Sequence, residues 1–454
     1  MLEGRSCLVS RVLPSSCEQE TKWGYMNCRA GVEVEISSGK RRLESDREGE
    51  GGLRKTSKVC ATEVCDTEER LSRAQFDRLS LSRSPVVGHS NNQRQGGDRS
   101  DMDCLINSIG RDMTINCLLR CSRAEYGSIA SLNRSFRSLV KSGEIYKLRW
   151  QHNVIEHWVY FSCRLLEWVA FDPASRRWMQ LPRMNSNECF MCSDKESLAV
   201  GTELLVFGKD LMAHVIYKYS ILTNSWSSGM SMNYPRCLFG SASLGAIAIL
   251  AGGCDSQGNI LSSAELYNSE TRTFETLPSM IKPRKMCSGI FMDGKFYVIG
   301  GIGGNDARVL TCGEEYDLTT RTWTEIPDMS PGNRGDAPEN GMPAAAEAPP
   351  LVAVVNNELY AADYAGMEVK QYNKQTREWA TVKRLPERSG SMNGWGLAFK
   401  ACGDRLIVIG GLRAHGEGII EVNSWVPSEG DANWELLGTK QSGSFVYNCA
   451  VMGC

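Results

Sequence analysis

Long apolar runs are missing from this 454-residue chain. None approaches the roughly 18 residues that a helix needs to cross a bilayer, so no membrane partner is expected. Histidine is scarce: the five are His89, His152, His157, His214 and His415, too scattered to set out a metal site. Gly-x-Ser-x-Gly, His-Glu-x-x-His and a phosphate-cradling loop are all absent. Gly300-Gly301-Ile302-Gly303-Gly304 is glycine-rich but lacks the βαβ setting of a dinucleotide fingerprint. Neither acid nor base dominates, with 51 Lys and Arg against 53 Asp and Glu. A net charge of −2 gives no broad basic field for nucleic acid. The first residues, Met1-Leu2-Glu3-Gly4-Arg5, lack the basic-then-apolar order of an export signal. The 18 cysteines are therefore expected to be reduced thiols in the nucleus and/or cytoplasm. Cys189-Phe190-Met191-Cys192 has no second pair at zinc spacing and is read as structural. Together these features predict no catalytic residue, no cofactor and no metal.

What is present is a repeat. An aromatic residue, six polar or turn-forming residues, then Trp or Phe recur at Phe171…Trp178, Tyr219…Trp226, Tyr267…Phe274, Tyr316…Trp323 and Tyr372…Trp379. A looser copy lies at Trp425…Trp434, and the last aromatics are 48, 48, 49, 56 and 55 residues apart. Such a period marks a repeat architecture. In the cleanest copies, 237–280 and 287–329, a strand-like run and a turn precede an apolar strand (247–251; 296–299) ending in Gly-Gly. A polar loop and two short runs joined by Ser269-Glu270-Thr271-Arg272 or Leu318-Thr319-Thr320-Arg321 complete the unit. Each unit supplies four antiparallel strands, one blade of a β-propeller. The recurring aromatics are expected to fill the space between blades. Arg236 and Arg284 follow Pro at equivalent positions, and Glu265 and Glu314 each precede the repeat Tyr by two. They form either a charged ring or buried pairs. Burial is favoured, because an unpaired charge inside a sheet is costly.

Gly-Gly, then Tyr about fifteen residues on, then Trp seven later resembles the kelch repeat. Gly252-Gly253, Gly300-Gly301 and Gly410-Gly411 carry the match, while Phe207-Gly208 and Ala361-Ala362 are degenerate. The first copy lacks its first strand. Residues 444–452 echo residues 236–244 and are expected to supply it, closing a mainly β, six-bladed ring over 151–454. A copper-radical oxidase of kelch-like fold would need paired histidines, and His214 and His415 lie too far apart in sequence to imply them.

Ahead of the repeats, 101–150 has apolar residues at helical spacing: Ile115, Leu118, Leu119, Tyr126, Ile129, Ala130, Phe136, Leu139 and Val140. Ser122-Arg123-Ala124-Glu125 has the form of a capping box, and Ser142 is placed to cap a further helix, which makes a small three-helix bundle. Leu105-Ile106-Asn107-Ser108-Ile109-Gly110-Arg111-Asp112, Leu118-Leu119-Arg120-Cys121 and Leu132-Asn133-Arg134-Ser135-Phe136-Arg137-Ser138-Leu139 resemble an F-box. The sequence departs from that family at Asn107, where Pro is usual, and at Ser135, where Trp is common. By this resemblance Leu105, Ile106, Ile109, Leu118, Leu119, Ile129, Leu132, Phe136 and Leu139 are the adaptor-docking face or the core of the bundle. Reading Arg134, Arg137, Lys141, Lys147 and Arg149 as a nucleic-acid face is a weaker alternative. Residues 1–100, rich in Ser, Gly, Glu and Arg, read as a largely disordered tail.

The combination is similar to the plant F-box/kelch-repeat proteins. It implies a substrate receptor of a Skp–cullin–F-box ubiquitin ligase, binding a Skp-type adaptor, through it a cullin, and an unidentified target protein. The receptor itself performs no bond chemistry. A non-ligase kelch scaffold and a propeller enzyme are the alternatives. Candidate target-binding loops are Lys209, Asp210 and His214; Asp255, Gln257 and Asn259; Lys282 and Lys285; Asn305, Asp306 and Arg308; Asp363; Arg413 and His415. Residues 330–350, rich in Pro, Gly and Ala, are an insertion that widens one repeat spacing.

Overall fold

Alternating apolar runs broken by Gly, Asn and Asp fold here into antiparallel meanders. The computed structural model describes residues 105–454, leaving out 107–108, 165, 187–188, 211–212, 305–307, 333–346, 388–392, 412–417 and 431. The expected tail, Asn107, and Asn305, Asp306, Arg413 and His415 lie outside the described residues. Among the described residues are six four-stranded antiparallel sheets and one three-stranded sheet. Sheets two to six each take four strands in chain order, beginning at Phe190–Val200, Gly240–Leu244, Ser288–Met292, Val352–Val355 and Ala398–Cys402. Sheet one combines His157–Arg164, Glu167–Asp172 and Arg177–Gln180 with Asn448–Gly453, which pairs antiparallel with His157–Arg164. The first strands neighbour one another in sequence, and the circuit returns from sheet six to Asn448–Gly453.

Hydrophobic clusters fill every gap of that circuit. One joins sheets two and three through Leu205, Phe207, Leu250 and Tyr267, and another joins sheets six and one through Ile407, Ile409, Val159 and Phe161. The recurring Trp side chains sit at these gaps: Trp226, Trp323 and Trp434 donate Nε1–H to the carbonyls of Pro182, Pro278 and Arg384, each 2.8 Å away at or just past the end of the preceding sheet's last strand. A belt of hydrogen bonds also links the starts of neighbouring first strands and the segments that lead into them. Lys195 N donates to Tyr447 O (2.8 Å), Leu238 N to Glu196 Oε1, Met286 N to Leu238 O (2.8 Å) and Ser288 Oγ to Pro350 O (2.6 Å). Ala348 N donates to Asn393 O (2.8 Å), and Val446 N to Gly396 O (3.0 Å) completes the belt.

The glycine pairs do two different things. Gly252, Gly253, Gly300 and Gly301 have φ of 72°, 92°, 62° and 94°, and a Cβ on Gly253 would lie 2.5 Å from Cys237 O. Gly410 and Gly411 instead stay within the strand Arg405–Gly411, where a Cβ on Gly411 would meet Ser444 O at 2.6 Å. The outer hairpins turn without glycine. Asn268 and Asp317 accept hydrogen bonds from backbone N–H groups two and three residues on, and Arg272 and Arg321 take the left-handed position.

Among the described residues four α-helices, rather than the three expected over 101–150, precede the sheets: Gly110–Leu119, Tyr126–Leu132, Arg134–Lys141 and Glu144–Gln151. The continuous apolar pattern across 126–140 is split because Asn133 is extended (φ −155°, ψ 174°) and its Oδ1 accepts Phe136 N at 2.8 Å. Asn133 thus caps a new helix. Ser122 starts a short 3₁₀ turn, Arg123–Glu125, instead of a full capping box. Gly143, with φ 79°, is the cap of the last helix, while Ser142 Oγ accepts Glu144 N at 3.3 Å.

Candidate functional site

In an antiparallel four-stranded meander whose first strand starts at one end, the loop between strands two and three and the linker to the next sheet return to that end. The tight turns between strands one and two, and three and four, lie at the opposite end. The loops after Gly252-Gly253 and Gly300-Gly301 therefore share a face with the inter-sheet linkers at 231–239 and 278–287.

Much of the polar chemistry on this face is already committed. Asp255 Oδ1 accepts Gln257 N (2.8 Å) and Asn259 N (2.9 Å), and Asn259 Nδ2 reaches Asp255 Oδ2 at 2.8 Å, so these three candidates shape their own loop. Asp363 accepts Ala365 N and Gly366 N and pairs with Lys370 at 2.6 Å. Lys282 pairs with Glu325 at 2.5 Å. Lys209, Asp210 and His214 are not in a loop. The degenerate Phe207-Gly208 leaves the strand unbroken, so Glu203–Asp210 runs on into a hairpin that pairs Lys209 with His214 and Asp210 with Ala213. Lys285 and exposed Arg308 lie on the small sheet Arg284–Lys285, Ile302–Gly303 and Arg308–Val309.

Sequence reasoning passed over the apolar members of this face. Met191, Tyr234, Ile281 and Val309 are large, exposed and positioned at this end of sheets two to four. The available signal was Tyr234 and Ile281 beside Pro235 and Pro283 in linkers that carry no strand pattern. Beneath them Arg236 and Arg284 are fully buried and form pairs with Glu265 (2.7 Å) and Glu314 (2.5 Å). Glu314 also accepts Ile281 N (2.7 Å) and Lys282 N (3.0 Å), and Arg284 Nη1 donates to Gly300 O and Cys312 O. These pairs hold each linker to its sheet and are not themselves a recognition ring.

The first strands line a central cavity of about 280 Å³ that includes Lys195, Glu196, Leu397 and Asn448. Burial pushes the Glu196 carboxyl up to about 8. Burial, with Lys400 adding to it, pulls the Lys195 ammonium down to about 7. Lys195 Nζ donates to Leu397 O at 2.6 Å. Among the described residues no group of three or more His, Cys, Asp or Glu is placed to hold a metal ion.

The helices occupy the opposite end. Cys454 N and O exchange hydrogen bonds with Glu156 O and N where Asn448–Gly453 finishes, and Lys147 Nζ pairs with Glu270 at 3.0 Å on an outer turn of sheet three. Two arginines lock this junction. Arg149, 1% exposed, donates to Leu119 O, Cys121 O and Tyr126 Oη and pairs with Glu156 at 2.7 Å. Arg123 donates to Glu156 O (3.1 Å), Met452 O (3.3 Å) and Tyr160 Oη (2.8 Å). The basic face suggested for nucleic acid is not assembled: Arg149 points inward, Lys147 is paired, and Arg137 Nε donates to Ala130 O.

The nine apolar helical candidates separate by burial. Leu105, Leu118, Leu119, Phe136 and Leu139 are core, and Ile129 packs against it. Ile106, Ile109 (44% exposed) and Leu132 (71%) face solvent, joined by Met113 (59%), which the sequence reading left out. Ile109 and Met113, four apart, follow helical spacing on one side.

The Kelch motif family matches residues 235–281 and 283–330. The F-box/kelch-repeat proteins SKIP11 and At1g26930 of Arabidopsis thaliana are 61% and 57% identical, across the whole of this chain and of each relative. The chain belongs to the F-box/kelch-repeat proteins. A third member from the same plant, F-box/kelch-repeat protein At1g74510, is 56% identical over full length. The mainly β fold, with kelch repeats built as four-stranded antiparallel sheets, is that of this family.

Proposed function

We propose that this chain is the target-recognition subunit of a Skp–cullin–F-box ubiquitin ligase. The helices of 105–151 are its F-box, and the six four-stranded sheets are the blades of one closed kelch propeller. Ile106, Ile109, Met113 and Leu132 dock the Skp-type adaptor, and through it a cullin. The face carrying Met191, Tyr234, Ile281, Val309, Lys209, Lys285 and Arg308 holds the target. The observation that supports the reading is that large apolar side chains are exposed at opposite ends of one body, with the helix junction sealed by buried arginines. Bond chemistry stays on another subunit, and this chain raises the effective concentration of a target lysine there.

The test is co-purification and calorimetric titration with a Skp-type adaptor. Met113→Asp with Leu132→Asp changes exposed positions, so the fold should keep its thermal transition. Adaptor affinity should fall at least about thirty-fold, since central apolar anchors contribute about 2 kcal/mol or more. Leu118→Asp is unsuitable as a probe, because it places a charge in the helical core. Folded wild-type chain that ignores the adaptor, or a double variant that binds as wild type, would overturn the reading.

A further inference from the structure

Two cysteines meet on the proposed target face. Cys237 and Cys254 face each other across an antiparallel bridge, exchanging both backbone hydrogen bonds (3.0 and 2.7 Å). Their sulfurs are 3.5 Å apart. Directly opposed residues of this hydrogen-bonded kind have Cα atoms about 5.5 Å apart, inside the range a disulfide accepts. Cys237 is half-buried, whereas Cys254 is fully buried and follows Gly253 at the root of the loop shaped by Asp255 and Asn259. The His214 imidazole lies beside the Cys237 sulfur on the neighbouring sheet.

We propose that Cys237 and Cys254 are a peroxide-oxidisable pair whose disulfide staples the loop at 254–260 to the entry of sheet three. His214 accepts the Cys237 proton, and the thiolate attacks hydrogen peroxide. An S–O bond forms, the O–O bond breaks, and hydroxide leaves, taking up a proton to become water. Cys254 then attacks the sulfenic sulfur, the S–O bond breaks, and a second water leaves with the Cys254 proton. In balance, two thiols and one peroxide give one disulfide and two waters. The second thiol and burial push the Cys237 thiol up while His214 acts against them, so a base at this position is needed for the first step. The site is independent of the ligase reading, since its chemistry needs neither adaptor nor target.

The sequence makes the assay specific. Tryptic peptide 237–272 contains these two cysteines and no others. Full-length protein is exposed to hydrogen peroxide under native conditions, blocked with iodoacetamide, digested and weighed without reductant. The expected product is this peptide lighter by two hydrogens and unalkylated, restored by dithiothreitol, with slower amide exchange at 254–260 in the oxidised protein. Cys254→Ser, checked by its thermal transition, should stop at a Cys237 sulfenic acid trapped by dimedone, and His214→Asn should slow oxidation several-fold. Full alkylation of both thiols in 237–272 while exposed Cys117 and Cys189 are oxidised would overturn the proposal. A disulfide that leaves exchange at 254–260 unchanged would overturn the stapling.

Discussion

Glu156→Ala tests whether the helices and sheets behave as one body. Glu156 is the acceptor for Arg149 Nη2 (2.7 Å), Arg123 N (3.1 Å) and Ser122 Oγ (3.3 Å). Removing one partner of a buried ion pair costs about 3–5 kcal/mol, because the remaining charge keeps its desolvation penalty. Two lost hydrogen bonds add about 1 kcal/mol each. Glu156 is itself a quarter exposed, so water returns part of this, and about 3–4 kcal/mol is the expected net loss. A helical segment of this size is marginal by itself, so the loss should exceed its share of stability. Calorimetry should then show a separate transition for the helices below that of the sheets, and amide exchange at 110–151 should quicken while 157–452 stays protected. Glu156→Gln keeps the acceptor oxygen and should lie between the two. On the proposed ligase role, Glu156→Ala should bind target normally but support its ubiquitination poorly. A single transition shifted by less than about 1 kcal/mol would refute the claim that this carboxylate holds the junction.

Glu314→Ala strands fully buried Arg284 and leaves Ile281 N and Lys282 N without an acceptor, so chemical denaturation should show a loss of at least about 3 kcal/mol. Arg284→Met with Glu314→Leu should recover part of it, and a single-variant loss below 1 kcal/mol would count against the pairing argument. Glu196→Gln addresses pH: with its carboxyl raised from 4.5 to about 8, the folded chain holds a proton that the unfolded chain has released between those values. Stability should fall as pH rises through that window, by at most about 1.4 kcal/mol per unit. The Gln variant should flatten this slope between pH 5 and 7, below the range where Lys195, lowered to about 7, acts in the opposite sense. Equal slopes in the two proteins would sink the assignment. Trp323→Phe removes the Nε1 donation to Pro278 O and should cost about 1 kcal/mol by thermal melt, while Trp323→Tyr should not restore it.

Periodicity explains which parts were legible in the sequence. Trp226, Trp323 and Trp434 recur because each fills the same place between sheets and makes the same N–H donation, so one pattern describes all three. Arg236 with Glu265, and Arg284 with Glu314, were readable as buried pairs for the same reason. Features confined to one repeat were not readable. Phe207-Gly208 looked like a worn Gly-Gly turn, and nothing local said that the strand would continue to Asp210. Asn133 interrupts an apolar stripe that keeps its helical spacing on both sides, so a cap was indistinguishable from a tolerated polar residue. Burial within the helices was equally hidden: Leu118 and Leu132 are the same residue type at plausible core spacing, yet one is core and the other 71% exposed. Tertiary packing against Arg149 and sheets one and two decides between them, and one-dimensional spacing does not contain it.

The strand Asn448–Gly453 joins two problems that a repeat protein ordinarily solves separately. As the first strand of sheet one it covers the edge that His157–Arg164 would otherwise present. Its outgoing end also supplies Met452 O to Arg123 and exchanges backbone bonds between Cys454 and Glu156. The seat of the helices therefore exists only when Asn448–Gly453 is paired with His157–Arg164. A chain in which this strand is unpaired cannot hold its helices as firmly, because the bonds to Met452 O and Cys454 are missing. For the proposed receptor, this dependence means that the helical end keeps its position only while the sheets that carry the opposite face are assembled.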